Sequence, residues 1–104
     1  MQIGTETLLD DLQRCVLHGI APAGQDVHVM LQTPEQEHVI LACTQATILH
    51  DGGMLANLPH QAEWARTIDW AEVFGADMLG LTFANGTQLF IQMTAAHLIR
   101  CHSA

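Results

Sequence analysis

Two alternating apolar stretches flank Ala84-Asn85-Gly86 in residues 79–93, and no other pattern constrains the fold of this chain as tightly. The pattern reads as a β-hairpin. Its register can be argued from the apolar face. A two-residue Asn-Gly turn would set Leu81 opposite Phe90 and Gly80 opposite Ile91, mixing the faces. A three-residue loop sets Leu81 opposite Leu89 and Leu79 opposite Ile91, which keeps one face apolar, as a half-buried sheet requires. That loop predicts a type I turn with Gly86 in the left-handed region and a bulge.

Other segments carry weaker signals. In residues 5–18, Leu8, Leu9, Leu12, Cys15 and Val16 fall on one helical stripe, with Thr5 as cap and Gly19 as stop. Ala21-Pro22-Ala23-Gly24 then reads as a turn. Residues 26–32 alternate as a strand, with Val27, Val29 and Leu31 on one face and His28 and Met30 on the other. Thr33-Pro34-Glu35-Gln36 reads as a turn. Residues 38–43 and 46–50 follow as one long strand or two short ones, and Asp51-Gly52-Gly53 ends them. Residues 57–75 read as helical, either continuous or broken near Thr67, where Asp69 and Glu72 fit a capping box. Thr94 caps a last predicted helix, Ala95–Cys101.

The expected fold is therefore α+β: one domain over residues 1–104, with a small antiparallel sheet of four or five strands. Helices would pack on one face, in the order αββ(β)αββα.

Composition narrows the function. The chain has 104 residues, eleven carboxylates and three arginines, for a net charge of −8 with histidine neutral. Lysine is absent. Phosphate backbones demand lysine and arginine, so no nucleic-acid partner is expected. Acidity allows a basic protein partner, and it also serves solubility alone. No membrane helix or cleaved leader is evident. Three cysteines at irregular spacing fit free thiols in a reducing cytoplasm.

Catalytic inventories are thin. The only serine, Ser103, stands beside the last residue. The chain lacks lysine and tyrosine, and neither a phosphate-binding loop nor a dinucleotide fingerprint is present. Cys43 with His38 or His50 could form a thiolate pair, but it sits in an apolar stretch where cysteine packs as a small hydrophobe. On a helix, His97 and Cys101 would share a face, with His102 nearby, as candidate metal ligands. Structural zinc asks for four ligands, so no metal or other cofactor is expected. Asp69 and Glu72 could be acid and base, yet capping explains their spacing. A lone His50-Asp51 carries no specific signal.

Apolar groups on the wrong face remain. Phe90 is opposite in phase to Leu89, Ile91 and Met93, and Met30 to Val27, Val29 and Leu31. Both point outward if each strand buries its richer face, or belong to the core if a helix covers that side. On the predicted helix, Trp70 and Phe74 make one aromatic patch, with Trp64 about 120° from Trp70. Met30, Trp64, Trp70, Phe74 and Phe90 are thus the candidate partner-binding residues.

The expected function is a non-catalytic protein-binding module, of the immunity-protein, anti-activator or partner-specific-chaperone type. The alternatives are a metal- or thiol-dependent His/Cys protein and a small-ligand-binding domain. A homodimer through a sheet face or edge is also expected, since an open sheet without lysine is poorly protected.

Overall fold

Strands dominate the computed structural model, which describes residues 6–101. They are β1 (Val16–Ala23), β2 (Asp26–Gln32), β3 (His38–Thr44), β4 (Thr47–His50), β5 (Ile68–Phe74), β6 (Met78–Phe83), β7 (Gln88–Gln92) and β8 (Ala95–Cys101). They form two antiparallel sheets, β1-β2-β3-β8 and β4-β7-β6-β5. Among the described residues, helix is confined to α1 (Glu6–Leu12), the single turn α2 (Met54–Asn57) and two 3-10 turns, Leu58–His60 and Glu63–Arg66.

The sheets are joined at two corners. Only Gln45 and Ala46 separate β3 from β4, and only Met93 and Thr94 separate β7 from β8. β3 pairs with β8, and β4 pairs with β7. Two long bent strands therefore cross together from one sheet to the other, as orthogonal corners require. Gln45 turns the corner at φ 48, and its N–H donates to Asp26 Oδ1 at 2.9 Å. At the other corner Val16 bridges Thr67, and Ile68 exchanges backbone bonds of 2.8 Å with Arg14 and Cys15. The ladder thus runs β1, β2, β3–β4, β7–β8, β6, β5 and back to β1.

One core fills the space between the sheets. Leu17, Leu31, Leu41, Leu79, Leu81, Phe83, Leu89 and Ile91 are among its fully buried strand residues. Leu12 of α1 and Met54 of α2 close it from outside the sheets. No polar or charged residue among those described is buried.

The α+β expectation, with helices covering one face of a single sheet, is overturned: the second layer is another sheet. Three predicted helices account for the error. Thr5 lies outside the described residues, but the first helix stops at Leu12, not His18. Arg14 takes φ 70, and its N–H goes to Ile68, so Cys15 starts an extended run. Residues 68–74 are a strand, not a helix. A register shift between Ile68 and Trp70 makes Ile68 and Ala71 both face inward. That bulge produces an i, i+3 apolar spacing that imitates a helical stripe. Ala95–Cys101 has good helix formers but pairs with β3 at seven consecutive positions. Tertiary pairing overrides propensity there.

The hairpin register is as expected, with Leu81 opposite Leu89 and Leu79 opposite Ile91. Gly86 has φ 89, and its N–H donates to Phe83 O at 2.8 Å. The strand at 26–32 and the turn closed by Gln36 N–H to Thr33 O also hold. The long-or-short question resolves as two strands, β3 and β4. A Cβ at Gly86 would meet nothing within 4 Å, so only backbone strain opposes a side chain. Gly86→Ala is expected to cost about 1 kcal/mol, measured by chemical denaturation; an unchanged midpoint would contradict the turn assignment.

Candidate functional site

The outer face of the β4-β7-β6-β5 sheet follows from its register. Trp70, Glu72 and Phe74 alternate outward along β5, opposite Thr82, Gly80 and Met78 of β6. Gly80 is in turn opposite Phe90, which is opposite His50. Phe74 and Phe90 lie across Gly80 with ring centroids 5.7 Å apart and a tilt of 58°. A Cβ on Gly80 would stand 2.5 Å from Phe74 Cε2 and 2.9 Å from Phe90 Cε1. The missing side chain is what lets the two rings meet over the backbone, an edge-to-face type of contact. Phe90 is half-buried by it, while Phe74 and Trp70 remain exposed, Trp70 by 55%.

Charge near this cluster has one sign. Asp69 and Glu72 are exposed on β5, and Asp77 precedes β6. Strands β4 to β7 contain neither lysine nor arginine. Aromatic faces attract cations, and the carboxylates reinforce that preference.

Met30 also points outward, but on the other sheet. It lies opposite Gly19 and Ile40, and Ile40 lies opposite Ile99. A Cβ on Gly19 would be 2.9 Å from Met30 Cε, so this side chain lies across β1. Met30 and Phe90 therefore belong to two different outer faces and make no common patch. Trp64 stands in the 3-10 turn before β5 and is 62% exposed. The structure brings together Trp70, Phe74 and Phe90 on one sheet face. Sequence reasoning missed Gly80, Leu49, Leu55 and Ile99. Ile99 becomes an outward residue only once 95–101 is extended.

The metal and thiol candidates are not assembled. His97 and Cys101 are four positions apart on a strand, about 13 Å along its axis at the usual rise. His102 lies outside the described residues. Among those described, no three His, Cys, Asp or Glu side chains gather as a metal-binding group. Cys43 is buried, whereas His38 of the same strand is exposed, and His50 lies on the outer face of the other sheet. Asp51 Oδ1 accepts the Gly53 N–H at 2.8 Å and shapes the turn before α2. Burial raises the Cys43 thiol from the ordinary 9.0 to about 12, with Asp26 adding to it. Burial likewise raises Cys15 to about 11, with Asp11 and Glu35 adding to it. Both therefore stay protonated near neutrality and are poor nucleophiles.

A concavity of about 480 Å³ lies beside α1. Asp10, Asp11, Glu35 and Glu37 line it with Arg14 and Arg100. Arg100 and Glu37 pair at 2.8 Å, but both are well exposed, so the pair adds little stability. Among the described residues, no helix is long and apolar enough to cross a membrane. No protein-family model, curated protein or solved structure matches this chain.

The thiol environments give a pH prediction. The folded state keeps protons that the unfolded chain releases, so stability is full below about pH 9 and falls as pH rises towards 11–12. The chain has no lysine and no tyrosine to obscure this window. Thermal melts from pH 8 to 11 should show a declining midpoint, and a flat profile would contradict the buried-thiol assignment. At pH 8, a Cys101→Ala variant should react with Ellman's reagent only after denaturation.

Proposed function

We propose that this chain is a non-catalytic protein-binding module whose contact face is the outer surface of the β4-β7-β6-β5 sheet. The exposed Trp70 and Phe74 beside the Phe74–Phe90 pair carry this reading. Large aromatics left in water on a small domain are costly unless they are used, and tryptophan is a favoured interface anchor. Asp69, Glu72 and Asp77 select the partner's chemistry: a protein segment bearing arginine or lysine. A guanidinium can stack on Trp70 while pairing with Glu72, which gives both packing and charge. The thin catalytic inventory and the protonated thiols support the same reading over the metal- or thiol-dependent alternative.

A photo-crosslinking residue placed at Thr82, beside Trp70, tests it in the native cell. A captured protein should dissociate in high salt before irradiation, as expected for exposed charge pairs. Trp70→Ala should weaken binding of that partner by roughly thirtyfold, equivalent to about 2 kcal/mol for an aromatic anchor. Glu72→Gln should cost less and remove much of the salt dependence. An interaction indifferent to both substitutions would overturn the proposed face.

A further inference from the structure

We infer that the cleft between the α1–β1 joint, the β2–β3 turn and the 3-10 turn Glu63–Arg66 binds a small zwitterion of the amino-acid class, its carboxylate on Arg14 and its ammonium on Glu63. This goes beyond the partner face proposed above, which lies on the other sheet and shares no residue with the cleft.

The space measures about 450 Å³, within the roughly 300–1,000 Å³ usual for small-ligand clefts. Arg14, Gln32, Gln36 and Glu63 line it beside two threonines, and Val16 and Pro34 add an apolar wall. Two charges of opposite sign stand unused there. Of the three arginines, Arg66 donates to Leu17 O at 3.1 Å and Arg100 pairs with Glu37 at 2.8 Å. Among the described residues, Arg14 and Glu63 form no ion pair, either with each other or with another group. A cation and a carboxylate that line one cleft without meeting suit a ligand carrying both charges. The guanidinium can hold a carboxylate through two parallel hydrogen bonds.

The surroundings select against a simple anion. Asp10, Asp11, Glu35 and Glu37 line the adjoining concavity, which shares Arg14 with this cleft. Four carboxylates so close, on a chain of net charge −8, disfavour phosphate or a dicarboxylate. A ligand that brings its own ammonium group escapes that repulsion.

The walls are held before any ligand arrives. Of the non-glycine residues described, only Arg14, Gln36 and Gln45 have positive φ, and the first two, at φ 70 and 67, line this one cleft. Such backbone is costly, persists only where the surroundings enforce it, and clusters at ligand clamps. The Arg14 N–H is tied to Ile68 O at 2.8 Å. The β2–β3 turn is closed by Gln36 N–H to Thr33 O at 2.8 Å and by Glu37 N–H to Thr33 Oγ1 at 3.0 Å. On the third wall, Thr67 Oγ1 donates to Glu63 O at 3.2 Å. The His18 Nε2–H donates to Gln32 Oε1 at 2.8 Å, which leaves the Gln32 NH2 group to donate to a ligand carboxylate. Fixed walls lower the ordering cost of binding.

Two-dimensional NMR of nitrogen-labelled protein, titrated with L-amino acids one at a time to millimolar concentration, reads the result. At least one should shift the Arg14 side-chain N–H and the Gln32 and Gln36 amide groups to saturation. The matching amine without the carboxylate, the matching acid without the amine, and inorganic phosphate should each bind more weakly by about tenfold or more, as loss of a charge-assisted pair implies. These arms need no variant, so they stand independently of folding. Arg14→Gln and Glu63→Gln should weaken the amino acid to a similar extent. Glu72→Gln, on the partner face, should bind it as the wild type does, so failure of that face and failure of this site are read separately. No saturable shift at these groups with any L-amino acid, equal binding of the acid, the amine or phosphate, or binding indifferent to both cleft substitutions would each overturn the inference.

Discussion

The structure depends on the paired passage of β3–β4 and β7–β8 from one sheet to the other. Neither sheet alone could bury its apolar face, because helix is too scarce to cover it. By bending together at Gln45–Ala46 and Met93–Thr94, the two strands keep their ladder and turn each sheet into the other's cover. Asp26 supports the bend through the Gln45 N–H, and the bridge at Val16–Thr67 completes the circuit on the far side. The absence of buried polar residues among those described follows naturally: the core holds only what two inner sheet faces supply.

Closing this circuit distributes the surface unequally. The carboxylates gather in loops, on α1 and on β5, while the β1-β2-β3-β8 sheet is nearly free of them. One outer face becomes aromatic and acidic, and the strands of the other sheet carry few charged residues.

The helical misreadings share a cause. Residues 68–74 bury Ile68 and Ala71 because a bulge changes the alternation between them, and a spacing of three is what a helix would show. Ala95–Cys101 is rich in helix-compatible residues, and its extended form comes from a partner strand more than fifty positions earlier. Trp70 and Phe74 were legible as an aromatic pair because two residues spaced by four share a face in a strand and nearly so in a helix. Met30 was legible as outward, yet its separation from Phe90 was not, since phase within a strand does not say which sheet the strand joins.

By itself the sequence determined the hairpin and its register, because alternation and a glycine-bearing loop are local constraints. It also determined the scarcity of cations. Only the tertiary structure decided that the second layer is a sheet, that Gly80 seats Phe74 against Phe90, and that Ala95–Cys101 is a strand. Each of these rests on contacts between distant segments, whose energy outweighs the small local preferences that a sequence pattern expresses.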